Sequence, residues 1–96
     1  MTITKKVTFI AKEGCEDKMK ELLTAMVEPS KKEDGCIFYD IFQYENNRRK
    51  FSAVESWRDN DALDGHKGTE HYAIYKSSFE PFCDHKYSDE LEILGL

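Results

Sequence analysis

The sequence predicts an α+β fold in which helices cover one face of an antiparallel sheet. Hydrophobic side chains switch between a period of two and a period near 3.6 along the chain, in the order β-α-β-β-α-β. The 96 residues are too few for two separate cores, so we expect a single domain over residues 1–96. Because a domain of this size has a modest core, we also expect a homodimer in which two copies share a surface.

The first third of the chain is expected to form a strand followed by a helix. Residues 3–11 alternate apolar and β-branched side chains with the spacing of a strand. After Gly14, apolar side chains recur at helical spacing over residues 16–27. Pro29 should kink or end this helix, and the polar segment 31–35 leads away from it.

Two segments of β-forming residues, 36–44 and 49–57, flank a turn-rich connection and predict a hairpin. The first arm has large apolar side chains on both faces. These are Phe38 and Phe42 on one face and Tyr39 and Ile41 on the other. A sheet of this kind is covered on both sides. We expect helices on one side and the same sheet of a second copy on the other.

Two capped helices and a last strand complete the predicted fold. Asp59 is placed to cap a short helix that runs to His66, and Thr69 is placed to cap a second helix. The second helix has an aromatic stripe formed by Tyr72, Tyr75, Phe79 and Phe82. Weak alternation over residues 86–94 predicts the last strand. With right-handed crossovers, this order gives a ferredoxin-like βαββαβ plait.

Charge and composition exclude several classes of function. A formal net charge of −5 gives no general attraction for a phosphate backbone, so we expect no nucleic-acid partner. The sequence has no apolar run long enough to span a membrane and no apolar segment of a signal peptide near its start. The three cysteines lack metal-site or dithiol spacing and are expected to be reduced thiols in the cytoplasm.

Three titratable residues are candidates for catalysis. Glu55 shares a strand face with Trp57, where a carboxylate among aromatic groups can act as a general acid or base. The alternative is an ion pair with Arg58 or with a lysine or arginine of another strand. His66 and His71 flank the break between the two last helices and can carry protons near neutral pH, or simply cap helix ends. Their five-residue interval and the lack of a third ligand in the pattern argue against a metal site.

Five aromatic residues are candidates for substrate binding: Tyr39, Trp57, Tyr72, Tyr75 and Phe79. Aromatic side chains can line a pocket for a flat small molecule. The same spacing is also typical of a hydrophobic core.

Four short motifs occur in a fixed order along the chain. They are Gly35-Cys36, Glu55-Ser56-Trp57, the segment from Ala62 to His66, and His71-Tyr72. Together they resemble the antibiotic biosynthesis monooxygenase (ABM) domain family, and the likeness spans nearly the whole chain. The resemblance implies a dimeric α+β barrel built from two ferredoxin-like subunits.

The resemblance also implies an activity. The family includes cofactor-free oxygenases in which an ionised phenol gives an electron directly to O₂. We therefore expect a monooxygenase that oxidises a quinol-type or polyphenol-type small aromatic substrate, with no cofactor and no metal. In that mechanism His71 or His66 is the base. Trp57 and Tyr72 pack against the ring, and Glu55 orients the substrate.

Two alternatives within the family stay open. The segment 66–72 also resembles a branch that isomerises a phosphorylated quorum-sensing furanone, and Lys67 is available there to a phosphate. The second alternative is a member that binds a small ligand without turnover. The heme-degrading members have an asparagine on the first strand, which residues 3–11 lack, so heme is not expected.

Overall fold

The protein, described here over residues 1–95 by a computed structural model, forms one four-stranded sheet with helices on one face. Its elements are β1 (Ile3–Ala11), α1 (Glu16–Thr24), α2 (Val27–Lys31), β2 (Cys36–Gln43), β3 (Lys50–Trp57), α3 (Asn60–Lys67), α4 (Glu70–Ser78) and β4 (Cys83–Leu91). A short 3-10 helix, Glu80–Phe82, precedes β4. The strands run in the order β2-β3-β1-β4, and each neighbouring pair is antiparallel. The predicted α+β ferredoxin-like fold is confirmed.

The first predicted helix is interrupted near its end. α1 stops at Thr24, and α2 begins three residues later with Pro29 as its third residue. Proline has no N–H, so the carbonyl of Ala25 cannot accept the usual helical hydrogen bond from position 29. Pro29 is tolerated within the first turn of α2 because the N–H groups of a first turn have no helical partner.

The last strand lies three residues earlier than the pattern predicts. Residues 86–94 show weak alternation, but β4 runs from Cys83 to Leu91. Pairing with β1 sets both ends, because Cys83 lies opposite Ala11 and Leu91 opposite Thr4. The neighbouring strand β1 begins at Ile3, one residue before the partner of Leu91. Residues 92–94 therefore have no strand with which to form backbone hydrogen bonds.

The two faces of the sheet have different surroundings. The helix-covered face holds the core, in which Phe9, Phe51 and Trp57 are fully buried. On the opposite face the central strands pair small hydroxyl side chains, and these are flanked by exposed apolar groups. The exposed groups include Phe42, Tyr87 and Leu91. Within residues 1–95, no helix has the length and apolar character needed to cross a membrane.

Candidate functional site

One carboxylate joins the ends of two helices. Glu33 lies in the turn between α2 and β2, and its Oε2 atom accepts hydrogen bonds from Nδ1 of His66 at 2.6 Å and Nε2 of His71 at 2.7 Å. His66 is in the last turn of α3 and only 2% exposed, whereas His71 is in the first turn of α4 and partly exposed. Glu33 therefore fixes two imidazole rings that come from different helices.

A glycine lets the Glu33 turn approach α3. Gly35 has a φ of +87°, and a Cβ atom at this position would lie 2.5 Å from the Cβ of Ala62. A side chain here would meet both backbone strain and a direct clash with the helix. Gly35 therefore brings the turn close enough for Glu33 to reach the histidines.

Thr69 connects the two helix ends that carry the histidines. Its hydroxyl donates to the carbonyl of His66 at 2.7 Å and accepts the backbone N–H of Tyr72 at 3.2 Å. The first contact satisfies a carbonyl at the end of α3, and the second caps the start of α4. This threonine holds the junction between α3 and α4 in a fixed geometry.

Aromatic rings hold the imidazole of His66 in place. Trp57 is tilted by 32° against the imidazole at a centroid distance of 4.5 Å, and Tyr72 meets it edge-on at 5.2 Å. With Nδ1 donating its proton to the carboxylate of Glu33, Nε2 carries the free lone pair of the neutral ring. The hydrogen bond to Glu33 therefore favours the tautomer of His66 in which Nε2 is unprotonated.

A cavity of about 120 Å³ lies between the sheet and the helices, with His66 on its wall. Its sheet side includes Lys5, Val7 and Glu55, and its helix side includes Leu63, Tyr72 and Tyr75. A cavity on the order of 150 Å³ holds a benzene-sized ligand. The space is therefore of the order of one aromatic ring in size. Tyr39 and Lys86 also line it.

Glu55 is held by the indole beside it. Its Oε1 atom accepts the N–H of Trp57 at 2.9 Å, and both side chains are buried. Glu55 lies between Lys5 on β1 and Tyr39 on β2 in the strand register. This hydrogen bond fixes one oxygen of the carboxylate and leaves the other available to the cavity.

The tyrosines of the cavity are kept protonated by their surroundings. Burial raises the pKa of Tyr39, Tyr72 and Tyr75, and the negative charge of Glu55 raises each of them further. A phenol with a raised pKa is neutral near pH 7 and can donate a hydrogen bond. The cavity wall therefore offers hydroxyl donors beside the imidazole of His66.

The geometry at Glu33 fits hydrogen bonds better than metal coordination. The ligand atoms of Glu33, His66 and His71 lie within 4.8 Å of one another, which makes them a candidate metal cluster. Ligand atoms of a tetrahedral zinc ion with bonds near 2.1 Å are about 3.4 Å apart. The separations of 2.6 and 2.7 Å are shorter and have the length of charge-assisted hydrogen bonds.

The structure brings most of the predicted site residues to one place. Five of them line the cavity: Tyr39, Glu55, His66, Tyr72 and Tyr75. Trp57 does not line the cavity but contacts two residues that do, His66 and Glu55. Phe79 stacks on Tyr75 at 5.1 Å within the core. His71 lies outside this cavity and lines a small groove between α1 and α4.

Three polar residues at the site, Glu33, Lys5 and Lys86, were not predicted from the sequence. Glu33 lies in a polar turn segment that looks like an ordinary helix exit. Lys5 and Lys86 line the cavity from two neighbouring strands, although lysine on a strand usually indicates an exposed face. The one available signal for Glu33 was the need of two neighbouring histidines for a common acceptor.

The chain is similar to proteins of one family. Residues 2–76 match the family described as "Antibiotic biosynthesis monooxygenase". "Putative monooxygenase Rv0793" of Mycobacterium tuberculosis is 32% identical over 69 residues, which cover 72% of this chain and 67% of that protein. The crystal structure of PA3566 from Pseudomonas aeruginosa has a TM-score of 0.93 at 32% identity and covers 98% of this chain and 95% of that one. The structure of Rv0793 has a TM-score of 0.91 at 25% identity, with coverage of 100% and 98%.

Proposed function

Since the chain belongs to the antibiotic biosynthesis monooxygenase family, we propose that it is a cofactor-independent monooxygenase of a quinol-type or polyphenol-type small aromatic substrate. One observation carries this proposal. His66, hydrogen-bonded through Nδ1 to Glu33, lies on the wall of a cavity that fits a single ring. A base beside a ring-sized cavity is what deprotonation of a phenol requires.

The first step is proton transfer from a substrate hydroxyl to Nε2 of His66. The resulting imidazolium keeps its hydrogen bond to the Glu33 carboxylate, which lies 2.6 Å from Nδ1 and stabilises the positive charge. Trp57 limits rotation of the imidazole by packing against it. The protein thereby supplies a positioned base whose charged form is stabilised.

The phenolate that remains is the electron donor. It transfers an electron to O₂, and recombination followed by loss of water gives the oxygenated product. For a hydroquinone the overall balance is quinol plus O₂ to hydroxyquinone plus water, so the substrate itself supplies all four electrons. Neutral Tyr72 and Tyr75 can donate hydrogen bonds to the developing oxyanion.

The active form in this proposal is a homodimer in the cytoplasm. The exposed apolar side chains on the far face of the sheet, Phe42 and Tyr87 among them, are the surface that a second copy would cover. Cys15, Cys36 and Cys83 are unpaired, as thiols of a reducing compartment are.

Oxygen consumption tests the proposal directly. The protein is mixed with a panel of one-ring and two-ring quinols in an oxygen electrode, with no cofactor added and with a chelator present. We expect uptake above the autoxidation blank, and with isotopically labelled O₂ we expect one labelled oxygen atom in the product. Uptake equal to the blank with every quinol, or a product without the label, contradicts the proposal.

A second candidate function is isomerisation of a phosphorylated furanone or ketose-type compound. The observation that favours it is Lys67, which lines the same cavity beside His66 and can bind a phosphate. This activity consumes no O₂, so rearrangement of such a substrate under anaerobic conditions separates it from the oxygenase. Binding of a ligand with a rise in melting temperature and without turnover identifies the third alternative, a non-catalytic binder.

A further inference from the structure

The cavity is positively charged although the chain as a whole is acidic. The formal net charge is −5, yet three lysines line this one space: Lys5, Lys67 and Lys86. Glu55 is the acidic residue among its lining residues, and one of its oxygens already accepts the indole N–H of Trp57. Within residues 1–95, none of the three lysines has a carboxylate oxygen within 4.0 Å. The cavity therefore holds cationic groups without a close counter-ion.

Lys5 has the most unusual position of the three. It lies on the central strand β1, and its side chain is on the helix-covered face, between Glu55 on β3 and Glu90 on β4. Positions on this face of a central strand are normally apolar, because an ammonium group loses solvation there. A lysine that lines the cavity from this position is explained if a bound anion provides its counter-charge.

Lys86, an exposed residue of the edge strand β4, also lines this cavity. Its Nζ atom is held above aromatic rings, at 4.8 Å from the centroid of Phe79 and 5.5 Å from that of Tyr75. Burial and the positive charge of Lys76 lower the pKa of Lys86, and Lys5 contributes in the same direction. The rings orient this ammonium group, and the neighbouring positive charges favour an anion beside it.

The base and Lys86 lie at different ends of the cavity, whereas Lys5 lies on the strand between them and Lys67 directly follows His66 on α3. Trp57, which packs against His66, is on β3, whereas Lys86 is on β4, and β1 lies between them. Two strand spacings separate β3 from β4 by about 10 Å. One aromatic ring with substituents at opposite positions can span that gap within a cavity sized for one ring.

We propose that this cavity selects a single-ring phenol that carries a carboxylate, with the acid group between Lys5 and Lys86 and a hydroxyl at the His66 end. This inference rests on the proposed function, because the hydroxyl is the group that His66 deprotonates. It adds the substrate class: an acidic catechol or quinol in place of a neutral one. Ser88, on the same face of β4 as Lys86, supplies a further hydroxyl at the end of the cavity that binds the carboxylate.

Anaerobic binding separates this proposal from turnover. Calorimetry with 3,4-dihydroxybenzoate and with the neutral 3,4-dihydroxybenzamide compares two ligands of the same shape without O₂. We expect the carboxylate to bind about fivefold to tenfold more tightly at low ionic strength, and the difference to shrink in about 0.5 M salt. Equal affinities, or tighter binding of the amide, overturn the proposal even if neutral quinols are oxidised.

Inorganic phosphate serves as the competing anion. If phosphate displaces bound 3,4-dihydroxybenzoate only at concentrations well above those of the carboxylate ligand, the carboxylate assignment stands. If phosphate alone binds more tightly than 3,4-dihydroxybenzoate, the cationic end recognises a phosphoryl group and the proposal is wrong.

Lysine variants locate the anion site. Lys5→Met and Lys86→Met keep the apolar stem and remove the charge, and each is expected to reduce the carboxylate-to-amide ratio to about twofold or less. Lys20→Met, on the exposed side of α1, is the matched control and should keep the full ratio. An unchanged ratio in both cavity variants contradicts the assignment, as does an equal loss in the control.

The stability of Lys5→Met provides an independent readout. If Lys5 serves to bind a ligand, its replacement by methionine should leave the unfolding midpoint of the ligand-free protein unchanged or raise it, because apolar side chains suit the helix-covered face of a central strand. If Lys5 instead stabilises the sheet through Glu55 or Glu90, the midpoint should fall while the carboxylate preference remains. The second result would overturn the ligand-binding role of Lys5.

Discussion

The Oε2 atom of Glu33 lies 2.6 Å from Nδ1 of His66, across 33 residues of sequence. An ionised carboxylate can only accept hydrogen bonds, so this contact places the proton of His66 on Nδ1 and leaves Nε2 as the acceptor. The ring is also packed against Trp57 and lies on the cavity wall. The tautomer of the proposed base therefore depends on the turn that carries Glu33, and its orientation depends on that turn together with Trp57.

Substitution Glu33→Gln should change the tautomer of His66. The side-chain amide of glutamine can donate to Nδ1, which favours the ring with its proton on Nε2 and removes the acceptor. Nitrogen-15 chemical shifts of the imidazole measure this directly: we expect protonated Nδ1 in the wild type and protonated Nε2 in a large share of the variant. The same shifts in both proteins would show that Glu33 does not set the tautomer.

Substitution Gly35→Ala should be more destabilising than Gly14→Ala. Both glycines have positive φ, at +87° and +82°, but a Cβ at position 35 meets Ala62 whereas one at position 14 meets nothing within 4 Å. We expect a loss of about 1 kcal/mol in the free energy of unfolding for Gly14→Ala and about 2–4 kcal/mol for Gly35→Ala. Urea unfolding measures both, and similar losses would remove the packing argument for Gly35.

The thiol of Cys36 should be unreactive near neutral pH. Burial, with the charges of Glu33, Glu55 and Asp40 in that order, raises the pKa of Cys36 to about 11. At about pH 8 its thiolate fraction is then on the order of one in a thousand, so alkylation should be slow and should accelerate about tenfold per pH unit up to the pKa.

The rate for Cys36 is measured in a protein whose other two cysteines, Cys15 and Cys83, are replaced by serine. The same protein unfolded in urea is the control, and its thiol should react about a hundredfold faster. Comparable rates in the folded and unfolded forms would contradict the raised pKa.

The far face of the sheet should be a dimer interface. Phe42 and Tyr87 are 55% and 47% exposed on this face, which is a large apolar exposure for a small domain. Light scattering at micromolar concentration should give about twice the chain mass of 11.2 kDa. Phe42→Lys should shift the mass toward the monomer, whereas Ile74→Lys, at an equally exposed position on α4, should not. A monomeric wild type, or a dimer insensitive to Phe42→Lys, would contradict this assignment.

Local sequence signals were sufficient for most of the fold. The alternation of β-branched residues gives the bounds of β1, and Asp59 and Thr69 cap their helices through the N–H groups of Ala62 and Tyr72. These contacts connect residues three positions apart, so the sequence pattern contains them. The end of β4 depends instead on where β1 begins, which a pattern within residues 86–94 does not include.

Within the candidate site, only contacts between residues close together in the sequence could be predicted. His66 and Tyr72 meet because two capped helices end and begin at one junction, and that junction is visible in the sequence. Glu33 is 33 and 38 residues away from its two partners, and its position depends on how closely Gly35 packs against α3. Lys5 shares a strand face with apolar residues, and the cavity that it lines is formed by elements far apart in the sequence.

Oxygen uptake by three variants shows whether His66, held by Glu33, is the base of a cofactor-free oxygenase. With the best quinol of the panel, His66→Gln and Glu33→Gln should each lower kcat by about a hundredfold or more, because general-base catalysis contributes on the order of 10²–10⁴. His71→Gln, which removes the other hydrogen bond to the same carboxylate, should lower kcat by less than about tenfold. Full oxygen uptake by His66→Gln, together with a large loss in His71→Gln, would contradict the claim and assign the base to His71.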